Sequence, residues 1–399
     1  MATSMNSDRA AASQEARSCL VEGYAHDRFA DVRRIFEENI RDGVDVGASL
    51  SVAVAGELVV DLWGGWSDAG RTRPWQQDTL VNVYSVSKTM AAMTILLLAD
   101  KAVLDPDATV AFYWPEFAQS GKKEVRLRHL LAHSAGLSGW KEPMATTDLF
   151  DWEKATTLLA RQQPYWEPGS APGYHGITQG FLLGEVVRRA TGEMLGDIFQ
   201  REIAEPLGAD FHLGLDPVHH ARVAPMIAER THDGPPRGTP TELMINAVTN
   251  PLLYPFMTEA TGTAEWTAAH IYAANGQGNA RSIAKAHALL ANGGEVGGRR
   301  LLSEAWCRRA LKLEIEGLDL VLGMPARFGL GFGLPGDWLE APHSDCIFWP
   351  GSGGAMSLVD LRARMSFGYA MNQRGGSGTL VDPRPMKLLR AVWAALSDF

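Results

Sequence analysis

The apolar positions of this chain follow two periods, and the balance between them changes along its length. Phe29, Val32, Phe36 and Ile40 recur three to four residues apart, which predicts a helix over 27–41 ended by Gly43. Residues 48–55 and 58–63 read as two strands joined around Gly56-Glu57, a hairpin. The nearly unbroken apolar run from Met90 to Leu98 then predicts a buried helix closing near Asp100. From about 105 to 265, helical patterns at 127–132, 152–161, 178–191 and 194–202 alternate with loops rich in proline and glycine. The stretch 234–265 reads mostly as loop, with Leu252, Leu253, Tyr254 and Phe256 among prolines, and such a loop often walls a binding site. Strand signals return at 328–334, 346–349, 355–359 and 364–371, the last two as a hairpin across 360–363. A final helix carries Met386, Leu389, Val392, Trp393 and Leu396 on one face.

Strands and helices thus flank a helical middle. The pattern predicts an α+β fold, a sheet flanked by helices and built from both chain ends, with a helical insertion between. The expected division is a loosely held 1–20, an α/β domain from 21–104 with 266–399, and a mainly helical domain over 105–265 carrying the long loop.

The bulk numbers narrow the function. A net charge of −9 over 399 residues and a pI near 5.7 argue against a nucleic-acid partner, which wants a basic face. Cys19, Cys307 and Cys346 are odd in number and widely spaced, so neither a disulfide framework nor a zinc spacing is expected. Residues 1–17 lack the apolar core of a secretory signal, and no run of about 18 apolar residues occurs. A cytoplasmic protein without a membrane partner is the expectation.

The strongest chemical signal is Tyr84-Ser85-Val86-Ser87-Lys88, where a strand-like run gives way to the buried helix. A hydroxyl and an amine one helical turn apart share a face, and the hydroxyl sits at a helix N-terminus that favours negative charge. Serine with lysine in reach makes an acyl-transfer nucleophile without histidine, provided burial lowers the lysine pKa. Ser-x-x-Lys also occurs at Ser120/Lys123, Ser138/Lys141 and Ser282/Lys285, but only Ser85 leads into an apolar helix. Ser120 lies in a polar segment, Gln119 to Lys123, that reads as an exposed loop. Tyr174, on a glycine-flanked loop before the helix at 178–191, is a candidate proton relay, as phenolate or phenol. The glycines of Gly351-Ser352-Gly353-Gly354 precede a strand and let substrate approach backbone N–H groups, with the N–H of Ser85 as a second donor. His219-His220 are adjacent and cannot share a helix face, and there is no His-Glu-x-x-His, so no metal is expected. Gly-x-Ser-x-Gly and Walker motifs are absent, and no cofactor is implied.

The order of these motifs resembles the serine β-lactamase and penicillin-binding-protein-like superfamily, most closely its class C-like esterases, the family VIII carboxylesterases. Five pieces carry the resemblance: Tyr84 to Lys88, Leu130 to Leu137, the loop at Tyr174, Gly278 to Ser282, and Gly351 to Gly354. They span nearly the whole chain. The resemblance implies a β-lactamase-like fold with an antiparallel sheet. It implies Ser85 as nucleophile, Lys88 and Tyr174 as the general-base pair, and the backbone N–H groups of Ser85 and Ser352 as the oxyanion hole. His133 is then a scaffold residue. Two departures point to esters: Gly176 stands where such β-lactamases usually have Asn, and Trp349-Pro350-Gly351 stands where they usually have Lys-Thr-Gly. Trp349 and Gly351 are expected to line the substrate site, and His175 to touch substrate or tune the relay. The implied partner is a small-molecule ester. Acyl transfer to an alcohol or amine, β-lactam or D-amino-acid peptide hydrolysis, and a non-catalytic binding protein are the other readings. Oligomeric state is left open.

Overall fold

The computed structural model describes residues 21–228, 240–375 and 380–397. The predicted loosely held segment 1–20, with Cys19, lies outside the described residues, as does 229–239.

Six antiparallel strands form the main sheet: β1 (Val21–Ala25), β2 (Gly47–Val54), β3 (Glu57–Gly65), β4 (Cys346–Pro350), β5 (Met356–Asp360) and β6 (Met365–Met371). Their order is β1-β3-β2-β6-β5-β4. The predicted β2–β3 hairpin turns on Ala55 and Gly56, both at positive φ (52° and 90°), the geometry that lets a tight turn follow the twist of its strands. The central pairing joins β2 to β6, with Leu50 opposite Tyr369. The sheet is therefore made from both chain ends, as the pattern predicts.

Helices α1 (Ala30–Arg41), α2 (Ser87–Asp100), α3 (Thr178–Thr191), α4 (Ala280–Ala291) and α5 (Pro383–Ser397) are the long ones among the described residues. Helix α4 lies on β2, β5 and β6. It comes so close that a side chain at Gly368 would meet the Ala280 carbonyl at 2.4 Å. Helix α1 packs on α5. Every residue of α2 from Ser87 to Ala99 is buried, so this helix is a post in the middle of the molecule, held by α3. Each large apolar side chain buried along it contributes about 1.5–3 kcal/mol. None of the described helices is long and apolar enough to cross a membrane.

Two expectations need correction. The predicted strand at 328–334 is a strand, Pro325–Phe328, that ends where the prediction begins, paired with Ile315–Leu318 in a hairpin the pattern does not reveal. Gly331 at φ 84° breaks the run. The described part of the predicted loop 234–265 holds three short helices, Glu242–Thr249, Phe256–Ala260 and Ala264–Ala268. Thr241 and Thr263 cap two of them through side-chain oxygens, a signal present in the sequence.

Candidate active site

Ser85 sits on a single 3-10 turn, Tyr84–Val86, that leads into α2. A small sheet of Leu80–Asn82, Val223–Ala224 and Gln277–Gly278 fixes its approach. The Val83 N–H donates to the Gly276 carbonyl (3.0 Å), and the Gly276 N–H returns a bond to Ser87 Oγ (2.8 Å). Tyr84 is held at φ 46°, a conformation side chains disfavour, immediately before the serine. The chain is thereby bent so that Ser85, alone in its turn, keeps partial exposure while Tyr84 and Val86 are buried.

Lys88, only 1% exposed, points from α2 at three oxygens. Its Nζ lies 2.7 Å from the Gly176 carbonyl, 2.8 Å from the Ala273 carbonyl and 3.2 Å from Ser85 Oγ. Burial, with no carboxylate partner among the described residues, drives its pKa well below the usual lysine value. A neutral amine has two N–H groups and one lone pair. The two carbonyls take the N–H groups, which leaves the lone pair facing the Ser85 hydroxyl.

Tyr174 closes the set from the loop before α3, its hydroxyl 2.6 Å from Ser85 Oγ. Its ring also covers the amine, with Nζ 5.0 Å from the ring centre. Burial raises the phenol pKa, against hydrogen bonds from Ser85 and Trp349 that lower it. The phenol is therefore neutral at rest, which favours the relay over the phenolate. Asp319 fixes the loop, its Oδ1 accepting the Tyr174 N–H (3.1 Å) and those of Val321 and Leu322 (2.9 and 2.8 Å). Asp319 lies in the unpredicted 315–328 hairpin region, and no sequence signal marks it.

His175 is corrected. It is fully buried and bonded at both ring nitrogens: Nε2 accepts the Leu137 N–H (2.9 Å), so Nδ1 carries the proton and donates to the Gly173 carbonyl (2.6 Å). Burial depresses its pKa to about 4. It staples the Tyr174 loop to the segment after His133 and cannot reach a substrate. His133 receives the His175 N–H on Nδ1 (3.1 Å) and is buried, a scaffold position. Trp349 is also corrected as a substrate wall. It is 2% exposed and packs with Phe328, His133 and Tyr174, the last at 5.9 Å between ring centres, so it backs the phenol.

The glycine segment lies beside this centre. The Gly351 N–H is spent on the Ala355 carbonyl (2.6 Å), and a side chain there would strike the Val83 carbonyl at 2.4 Å. Gly351 thus serves close packing against the chain leading to Ser85. The amides of Ser85 and Ser352 donate to no protein acceptor among the described residues, the state required of oxyanion donors. Ser352 Oγ lies 3.0 Å from the Tyr254 hydroxyl and accepts from Arg374 at 3.2 Å. Tyr254 belongs to the predicted wall. Arg374 follows β6 in Asn372-Gln373-Arg374, where the pattern gives no hint of it.

Two other clusters are not part of this centre. The ring Nδ1 of His219 accepts from Arg222 (3.2 Å). His343, Cys346 and Asp360 bring possible ligand atoms within 4.8 Å of one another. His343 accepts the Asp345 N–H on Nδ1 (3.3 Å), which leaves Nε2 to donate to Asp360 (3.2 Å), so both ring nitrogens already have protein partners.

Known proteins share the family and the fold of this chain. Residues 33–390 match the family described as Beta-lactamase. The chain belongs to the Beta-lactamase family. Among similar proteins, "Esterase/beta-lactamase LipL" of Mycobacterium tuberculosis is 34% identical over 329 residues, 78% of this chain and 75% of that protein. Of solved structures, a family VIII carboxylesterase is 41% identical with a TM-score of 0.87, covering 94% of this chain and all of the other. A penicillin-binding protein homolog from Caulobacter crescentus is 36% identical, also at a TM-score of 0.87, with 94% and 100% coverage. The expected β-lactamase-like fold is borne out, and Beta-lactamase family members bearing esterase names are among the similar proteins.

Proposed function

We propose that this protein hydrolyses carboxylic esters through an acyl-enzyme on Ser85. One observation carries the reading: Ser85 Oγ stands between a neutral phenol at 2.6 Å and a buried amine at 3.2 Å whose N–H groups are already taken. Ser85 Oγ attacks the ester carbonyl while its proton passes to the Lys88 lone pair. The carbonyl oxygen becomes an oxyanion, received by the N–H groups of Ser85 and Ser352. As the tetrahedral centre collapses, the Tyr174 hydroxyl protonates the departing alkoxide, and the Lys88 ammonium restores the phenol proton. Water then attacks the acyl-enzyme with its proton taken by the same pair, and Ser85 leaves reprotonated.

Esters fit better than lactams because the Tyr174 loop offers glycine at 176, so no side-chain amide is available there to grip a lactam's acylamide. Hydrolysis of 4-nitrophenyl butyrate by the wild type, with none by Ser85→Ala, and labelling of Ser85 by a fluorophosphonate, support the proposal. Equal rates in the two proteins overturn it. With ethanol present, the proportion of ethyl ester to free acid separates acyl transfer from hydrolysis.

A further inference from the structure

Two arginines are buried behind the Gly351–Gly354 turn, each 8% exposed, and they are treated differently. Arg384 bonds two carboxylates, Asp45 at 2.8 Å and Asp382 at 2.9 Å, and steadies the turn through the Gly353 carbonyl (2.6 Å). Arg374 has no carboxylate partner among the described residues. Its guanidinium lies between two tyrosine rings, 5.3 Å from the centre of Tyr84 and 4.7 Å from that of Tyr254. Its Nη2 donates to Ser352 Oγ at 3.2 Å, and its Nη1 is buried with no hydrogen-bond partner.

A buried charge is tolerated when something offsets it, and an unpaired one costs several kcal/mol. Guanidinium stays protonated in proteins, so Arg374 cannot escape the cost by losing its proton. Two π faces, the Ser352 hydroxyl and the neighbouring Tyr84 and Tyr254 side chains offset only part of it. The partner missing among the described residues is an anion, and Ser352 and Tyr254, which contact the guanidinium, are partly exposed to solvent.

We propose that Arg374, with Ser352 and Tyr254, forms a carboxylate subsite, so that the preferred substrates are esters bearing a second, free carboxylate. This rests on the ester reading of Ser85. The test compares matched esters. Monomethyl glutarate and methyl pentanoate differ by a carboxylate on the acyl side, and 4-acetoxybenzoate and 4-methylphenyl acetate differ by one on the alcohol side. In Arg374→Gln the ratio of kcat/KM for the anionic over the neutral ester is expected to fall roughly 10–100-fold in at least one pair, the range of a hydrogen bond to a charged group. Arg374→Lys, which keeps the charge, is expected to retain most of that ratio, and serves if the Gln variant fails a thermal-unfolding check. Ratios unchanged in both pairs overturn the proposal. An equal fall for neutral and anionic esters also overturns it, since Arg374 would then be a positioning residue for Ser352. A readout without turnover uses calorimetric titration of Ser85→Ala with glutarate. Saturable binding that weakens by a similar factor in Ser85→Ala/Arg374→Gln supports the subsite, and no binding overturns it. Wild-type protein that cleaves neither 4-nitrophenyl butyrate nor any of the four esters, while glutarate still binds through Arg374, refutes the ester reading and upholds the subsite.

Discussion

Lys88 and Lys122 are both lost to solvent, at 1% and 0% exposed, and both give hydrogen bonds to two backbone carbonyls. They differ in what the amine meets besides those carbonyls. Each amine lies beside a ring, Tyr174 at 5.0 Å and Phe117 at 5.2 Å, but Lys88 also meets the Ser85 hydroxyl. Burial lowers both pKa values, that of Lys122 to about 8 and that of Lys88 well below the ordinary value. With its pKa lowered only to about 8, Lys122 keeps its charge at neutral pH and acts as a tie between Gln119 and Gln162. A hydroxyl with a second proton donor behind it gives a neutral amine something to do. Burial therefore makes a lysine a base only where a group that can lose a proton stands in its third direction.

The hardest blow to this contrast is a pair of substitutions. Lys88→Met and Ser85→Ala are each expected to lower kcat/KM for 4-nitrophenyl butyrate by roughly 10⁴–10⁶-fold, as removal of a nucleophile or its base does elsewhere. Lys122→Met, with the fold retained, is expected to stay within about threefold, the scale of changes outside a catalytic unit. Comparable losses in the two lysine variants break the comparison. Tyr174→Phe removes one proton donor and leaves the amine, and initial rates are expected to fall roughly 10²–10⁴-fold.

The pH dependence sharpens the same contrast. Activity needs the neutral amine, so kcat/KM rises with pH as Lys88 loses its proton, with its midpoint well below the ordinary lysine pKa of 10.5. A rate that climbs only near 10.5 breaks the argument. Stability follows the same sign. Where the folded pKa is depressed, the unfolded chain binds more protons between the two pKa values, so unfolding free energy rises with pH across that window and is flat below it. Lys122 contributes from about 8 up to 10.5, and Lys88 from a lower pH. Urea midpoints against pH are expected to lose the lower part of this rise in Lys88→Met and only the upper part in Lys122→Met.

The smallest expected effect concerns support. Asp319→Asn keeps an acceptor for the Tyr174 N–H but exchanges the charge, and kcat is expected to drop up to roughly tenfold through misplacement of the phenol. No change in kcat with an unchanged Tm would detach Asp319 from the relay.

Much of this was legible before any coordinates, for physical reasons. The β2–β3 and β5–β6 hairpins and α2 follow from periodicity, because one face or all faces of an element must be buried. Ser85 stands out from three other Ser-x-x-Lys pairs since only its helix is apolar throughout. Lys122 shows the limit. It sits in a polar, glycine-containing run that reads as exposed, yet long-range contact with Gln162 buries it. Arg374, Asp319 and the inward turn of His175 escaped for the same reason: each is defined by a partner more than 20 residues away or by a loop without period. From sequence Trp349 reads as lining the substrate site, because its aromatic neighbours, His133, Phe328 and Tyr174, come from three separate stretches.

The pairing of β2 with β6 has a temporal consequence. Ser85 belongs to the first quarter of the sequence, whereas the amide of Ser352 and the guanidinium of Arg374 arrive more than 260 residues later. On a ribosome the nucleophile emerges long before the groups that would stabilise charge on its target. Until strands so far apart in sequence meet, a slow step by its nature, the growing polypeptide carries a serine with no oxyanion pocket completed by Ser352. On the proposed mechanism, its reactivity awaits closure of the sheet.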